Sequence, residues 1–375
     1  MKIGIITTHY ALNYGAFLQA LALQRIISGL GYDCEIINYQ PKIKKYGRDY
    51  FRKIQTFKDL LAFLFRLVSV NSFIKFNARK KKFDTALKNE MNTSNRVYTS
   101  YDEILKNLEY YDCFICGSDQ IWNINLMYDP TFFLDFHQKY PSAKYIAYGP
   151  SISMSKITED AKNLYRKHLA HFNALSVREL TGKSQLSSLI GKEIKVVLDP
   201  VFLYGADNWE NFSKLPKDVV LKEPYILCFF IGTNNLSKIA VEKVRKLIGF
   251  NLVYCNLQLR DRFHSDLIIR DASPQEFVGL IKNASFICTN SFHATAFSII
   301  FQKPFITTLN QNGRDSRMVD LLTTIGLNDR MYDLDNIYQL DQNSINKCFE
   351  GYNLALPLLE HQITESINYL EKSFI

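Results

Sequence analysis

Short apolar runs alternate with helical stretches along almost the whole chain, and this alternation restricts the fold more than any other feature. Lys2 to Thr8 (KIGIITT) reads as a buried strand, His9 to Tyr14 as a loop and Gly15 to Ser28 as a helix with an apolar face. Gly29 and Gly31 stop that helix before the next strand, Cys34 to Tyr39. Two strands joined through a helix run parallel, because a tight hairpin cannot connect them. After a basic, helical insert the pattern resumes with a helix from Tyr101 to Leu108 and a strand from Asp112 to Gly117. KYIAYGPSI follows as a strand, then a helix from Ile157 to Phe172, a strand from Ala174 to Glu179, and Lys195 to Leu203, where Asp199-Pro200 turns the chain outward. Trp209 to Glu223, with Pro216 inside and Pro224 after it, reads as a linker. Beyond it the alternation starts afresh, from YILCFFIG through a helix opened by Ser273-Pro274 to a helix from about Asp315 to Ile325.

The expected architecture is α/β, with two doubly wound halves facing each other across a cleft and ligands bound outside the carboxyl ends of the strands. Residues 1–210 form the first half, with the basic insert at 42–95, and residues 211–345 the second. The segment 346–375 supplies a C-terminal helix, Ala355 to Lys372, expected to pack back on the first half. A chain of 375 residues, 47% of them hydrophobic, is long enough for two such cores. No run approaches the roughly 18 apolar residues that span a bilayer. The chain opens directly on a strand, and its seven cysteines are scattered and odd in number. Both features fit a reducing, cytoplasmic setting better than a disulfide framework.

Within the second half, Cys288 to Phe305 (CTNSFHATAFSIIFQKPF) carries the most chemistry. A strand ends at a polar Asn290-Ser291 cap, and an apolar helix follows with His293 in its first turn. Unpaired N–H groups and the helix dipole favour an anion there, and an imidazole moves protons near neutral pH. Carboxylate or phosphate chemistry is the expectation, with Asn290 and Ser291 at the anion. Arg178 and Lys303 also lie at strand ends, and an arginine fork with a lysine makes a clamp for a small molecule bearing carboxylate and phosphate. In the first half, Asn13, Tyr14 and Gly15 open a helix and Ser118, Asp119 and Gln120 follow a buried strand. Both groups sit where a second ligand binds; helix-start and turn contacts are the competing explanation.

Other motifs carry less. Cys113 and Cys116 form a CxxC, but residues three apart on a strand face opposite ways. His168 and His171 have no third ligand at metal spacing, so no metal is expected. There is no GxGxxG, no GxxxxGK[ST] and no GxSxG. The formal charge of +8 is concentrated between Lys42 and Lys88. Without a recognition module beside it, nucleic acid is not the expected partner. Apolar Leu60 to Phe65, flanked by Lys58, Arg66 and Lys75, suits a headgroup layer or a core helix with a basic end.

NYGAFLQALAL (Asn13 to Leu23), CGSDQIWN (Cys116 to Asn123), SVRE (Ser176 to Glu179) and NSFHATAFSIIFQKPF (Asn290 to Phe305) together resemble the polysaccharide pyruvyl transferase family. The resemblance implies two Rossmann-like domains in a GT-B-like arrangement. It implies transfer of the pyruvyl group of phosphoenolpyruvate onto a glycan, as a cyclic ketal with release of phosphate, without metal or redox cofactor. Carried over, His293 is the acid/base residue and Arg178 and Lys303 bind the donor. Some members carry an arginine two residues before this histidine, where Ser291 stands here; Arg314 and Arg317 are the candidates to replace its anion contact. Asn13, Tyr14, Gly15, Ser118, Asp119 and Gln120 are left for the acceptor glycan. Were that glycan lipid-linked, the segment 42–88 would meet the inner face of the membrane. A nucleotide-sugar glycosyltransferase and a non-catalytic glycan- or phosphate-binding protein are the alternatives.

Overall fold

The computed structural model describes residues 1–41, 47–48, 70–154, 156–255, 263–309 and 315–375. Two six-stranded sheets organise them. The first contains β1 (Lys2–Ile6), β2 (Asp33–Ile36), β3 (Cys113–Cys116), β4 (Lys144–Ala147), β5 (Ala174–Val177) and β6 (Lys195–Val196), in the order β2-β1-β3-β4-β5-β6. The second contains β7 (Tyr225–Phe229), β8 (Asn251–Cys255), β9 (Leu267–Ile269), β10 (Phe286–Thr289), β11 (Phe305–Thr308) and β12 (Met331–Tyr332), in the order β12-β11-β10-β7-β8-β9. Every strand pair is parallel. Helices cover both faces, which is why central strands such as FICT are buried along their whole length.

Alternation along β3 settles the CxxC. Cys113 packs into the core shared with the second half, and Cys116 into the core on the other face of the sheet. All seven cysteines are free and buried, and no group of His, Cys, Asp and Glu placed to hold a metal ion occurs among the described residues. No helix among them is long and apolar enough to cross a membrane.

The helices that matter for the site are α1 (Tyr14–Gly29), α2 (Val70–Glu90), α3 (Pro274–Asn283), α4 (Phe292–Ile300), α5 (Ser316–Thr324) and α6 (Tyr352–Phe374). One hydrophobic core runs from β1 and α1 through Trp209 to Phe277 and Phe297, so the halves share an interior. The Tyr14 ring stacks on Phe277 with centroids 4.2 Å apart, and its hydroxyl donates to the Ala272 carbonyl at 2.9 Å. Lys75 and Lys82 of α2 pair with Asp271 and Glu276 across the same boundary, at 2.9 and 2.8 Å. Part of the basic charge thus serves as an inter-half tie; Lys42 to Lys45 and Leu60 to Arg66 lie outside the described residues. Helix α6 crosses back onto the first sheet, where the Tyr369 hydroxyl donates to Ala147 O at 2.8 Å and Ser366 Oγ accepts from Leu198 N at 2.9 Å.

Two enclosed histidines make this fold acid-labile. His9 is fully buried, and desolvation lowers its pKa from 6.5 to about 4. Desolvation, then the charge of His137 stacked 4.0 Å away, lowers His171 to about 3. Both folded values lie below the unfolded one, so the unfolded chain takes up protons first as the pH drops. The stability they confer is complete above pH 6.5 and is lost as the pH falls towards 4 and then 3. For His9 alone this is on the order of 3 kcal/mol. The urea midpoint is expected to be much lower at pH 4.5 than at 7.5, and His171→Phe to flatten that dependence.

Candidate active site

Five segments beyond the carboxyl edges of the strands meet at the crevice between the halves. Asp119 follows β3, Arg178 follows β5 and Asp199 lies just past β6; His293 opens α4 after β10, and Arg317 sits in the first turn of α5. In each sheet the central loops flank the place where the strand order reverses, β1/β3 and β7/β10, which is where open parallel sheets leave a crevice. The Asn290 side chain spans the second of these, accepting from Ile231 N at 2.7 Å and donating to Gly232 O at 3.1 Å.

Asp199 is buried at the centre of the cluster. Its Oδ1 accepts from Val201 N at 3.1 Å, capping the short helix Pro200–Leu203. Its Oδ2 accepts from Arg178 Nη1 and lies 3.3 Å from His293 Nε2, an ion-pair contact not aligned as a hydrogen bond. Burial pushes the Asp199 carboxyl up, but Arg178 and then His293 outweigh it and hold it well below the usual range. The same opposition operates at Asp119, where Arg178, His293 and Arg317 outweigh desolvation and keep the carboxylate ionised. Asp119 Oδ1 is 3.6 Å from Arg178 Nη2 and 3.8 Å from Arg317 Nη1, too far for hydrogen bonds.

The two arginines come from opposite halves and share one platform. Their guanidinium carbons lie 5.1 and 5.4 Å from the centroid of the Phe292 ring. Desolvation, followed by repulsion from Arg178, lowers Arg317 to about 10, so it stays cationic at neutral pH. Arg178 Nε and Nη2 and Arg317 Nε are buried and have no hydrogen-bond acceptor among the described residues. Leaving such donors unmatched is costly, and an anion is the kind of group that could match them.

Backbone strain marks the same spot. Asp119 has φ 83° and ψ −176°, a region essentially reserved for glycine. The fold holds it there through Ser151 N, which donates to its carbonyl at 2.8 Å, and Thr8 Oγ1, which donates to Oδ2 at 3.3 Å.

Of the residues expected from sequence, Arg178, His293, Arg317 and Asp119 come together, and Lys303 does not. It precedes β11 and therefore stands at the amino edge of the second sheet. Helix α4 carries the chain away from His293, and a rise of about 1.5 Å per residue puts its far end, Ile300, about 10 Å off. Burial lowers the Lys303 pKa, and the charges acting on it are Glu223 and Lys282, which belong to that opposite edge. Where the sequence suggested Arg178 with Lys303, the pair that the structure brings together is Arg178 with Arg317.

Several other expected contacts have local partners. Asn13 Oδ1 caps α1 by accepting from Ala16 N at 3.2 Å, and Tyr14 is a core ring. Ser118 Oγ donates to Gly149 O at 3.1 Å within the turn, and Gln120 begins the 3-10 turn Gln120–Trp122 with its side chain part-exposed. Ser291 caps α4 through Ala294 N at 3.4 Å. Arg314 lies outside the described residues.

The family model for polysaccharide pyruvyl transferases matches residues 13–312. The chain belongs to the polysaccharide pyruvyl transferase family. It is thus a transferase of polysaccharide biosynthesis, built on a GT-B-like pair of Rossmann-like domains. No curated protein matches by sequence. Among solved structures it is similar to a UDP-GlcNAc 2-epimerase from Methanocaldococcus jannaschii, at 16% identity and TM-score 0.50, covering 94% of this chain and 93% of that one. The Neisseria meningitidis UDP-GlcNAc 2-epimerase aligns over 100% of this chain and 99% of its own, at 10% identity and TM-score 0.51. Arabidopsis thaliana UGT89C1, solved with quercetin, aligns over the same shares at 11% identity and TM-score 0.51. At such identities the likeness is one of fold.

In this pyruvyl transferase two contributors were hidden in the sequence. Asp199 looked like a turn residue because Asp-Pro is also a helix-start signature, and Phe292 looked like core in an apolar helix. Gly15 has a role other than admitting a ligand: a side chain there would collide with the His293 ring. Gly15→Ala is expected to displace that ring and lower turnover by about 10²-fold, since a misplacement near 1 Å has that effect. Steady-state kinetics beside a thermal melt separates the loss from unfolding.

Proposed function

We propose that this transferase uses phosphoenolpyruvate and forms a pyruvate ketal on a sugar, with His293 as acid and Arg178 and Arg317 as the donor clamp. The observation that carries the reading is the meeting of two buried arginines from opposite halves, with unmatched N–H groups, beside an imidazole. Phosphoenolpyruvate offers the two anionic groups such a pair fits. His293 gives a proton to the donor's methylene carbon, and the neighbouring carbon becomes oxocarbenium-like. One sugar hydroxyl attacks that carbon, the carbon–oxygen bond to phosphate breaks, and a second hydroxyl closes the ketal. Of the two hydroxyl protons, one restores the imidazole and the other leaves with phosphate. Asp119, kept anionic, accepts a hydrogen bond from the incoming hydroxyl. The scheme calls on no metal or redox group.

The acceptor is a glycan precursor, and a lipid-linked one would bring the enzyme to a membrane surface. The test is phosphate release from phosphoenolpyruvate with a panel of lipid-linked and nitrophenyl sugars, beside a thermal-shift panel that includes sugar nucleotides. Phosphate release with an acceptor, abolished in His293→Ala, is the expected result. Stabilisation by sugar nucleotides and none by phosphoenolpyruvate would overturn it.

A further inference from the structure

We infer that Asp199 is a positioning residue, holding the His293 ring and the Arg178 fork in one register across the two halves. The inference rests on the pyruvyl-transfer reading. Asp199 belongs to the first half and His293 to the second, so the proton donor takes up its working orientation only where the halves meet.

A capping role accounts for half of this side chain. An N-cap requires one oxygen, and Oδ1 supplies it to Val201 N at 3.1 Å. Serine, threonine or asparagine would cap as well. The second oxygen is surplus to that task, yet it is the one shared by Arg178 and His293 Nε2. With Oδ1 pinned and the residue 1% exposed, Oδ2 has no freedom to turn away.

The carboxylate therefore fixes how the imidazole is turned. Nε2 is held against Asp199, and the Nδ1 edge packs on the Gly15 backbone, so the ring is gripped from both sides. Other charges bear on the ring less directly. Arg178 stands behind Asp199, Asp119 lies across the crevice in the first half, Arg317 lies in the same half as the ring beside Phe292, and α1 presents the uncharged Gly15. Replacing Asp199 by asparagine keeps shape and cap, removes the charge and turns an amide NH2 towards Arg178 and His293 in place of Oδ2.

The test compares the parent enzyme with Asp199→Asn in three measurements. The NMR resonances of the His293 ring, assigned with His293→Gln, need no substrate and are expected to shift and broaden as the ring loses its fixed orientation. Turnover at neutral pH is expected to fall about 10²-fold, carried by kcat rather than by KM for the donor. Phosphoenolpyruvate binding by calorimetry is expected to stay as tight or tighten, because a carboxylate competing for Arg178 is gone. Unmoved ring resonances with kcat unchanged would overturn the inference. So would a joint loss of donor affinity and thermal midpoint with the imidazole unchanged, which is the mark of a cap alone. Failure of the underlying reading looks different: the parent would not bind phosphoenolpyruvate, or His293→Gln would turn over normally.

Discussion

Arg317→Met is expected to lower kcat/KM for phosphoenolpyruvate by about 10³-fold, and Lys303→Met to leave it within about threefold. Truncating one partner of a buried, hydrogen-bonded charge pair costs about 2–5 kcal/mol, and 1.4 kcal/mol is a factor of ten. Arg317 is 8% exposed, and its Nε has no acceptor among the described residues, so a bound anion gains the whole interaction. Stability changes little by comparison, because Asp119 keeps Arg178 as a neighbour and Arg178 keeps Asp199. Lys303 stands at the opposite edge of its sheet, among charges that never face the crevice. Steady-state kinetics with varied donor reads both variants. Equal losses, or a larger loss at Lys303, would return the clamp to the pair expected from sequence.

That contrast shows what a sequence exposes and what it hides. Fold class was legible because parallel strands buried on both faces write themselves as apolar runs, and helices between them break the runs at Gly and Pro. His293 was legible because a polar cap before an apolar helix is a local signature, and here Ser291 does cap α4. Lys303 misled because the edge of a sheet on which a residue emerges depends on which side of the strand it stands. Lys303-Pro304 precedes its strand, whereas Asn290-Ser291 follows one. Arg317 was named only as a substitute for a missing contact, since nothing local shows that α5 turns its first residues towards Phe292. Asp199 and Gly15 acquire their partners from elements far away in the chain, and no spacing encodes such contacts.

Asp119 offers the sharpest separation of stability from activity, because its backbone and side chain pull in opposite directions. Asp119→Gly is expected to be more stable than Asp119→Asn by about 1–2 kcal/mol, although glycine is normally the weaker residue. The conformation at φ 83° and ψ −176° costs a side-chain-bearing residue about 1–3 kcal/mol, and asparagine inherits that cost whereas glycine does not. Against this, glycine adds about 0.5–1 kcal/mol of unfolded-state entropy, which leaves a net gain. Both variants lose the carboxylate that Arg178, His293 and Arg317 keep ionised, so the charge effect on stability cancels in the comparison. Turnover falls about 10²-fold in both, because neither offers an anionic acceptor to the incoming hydroxyl. Urea unfolding gives the stability difference and phosphate release the activity. If asparagine proves the more stable, the strained backbone is no reservoir. If glycine restores turnover, the carboxylate takes no part in the reaction.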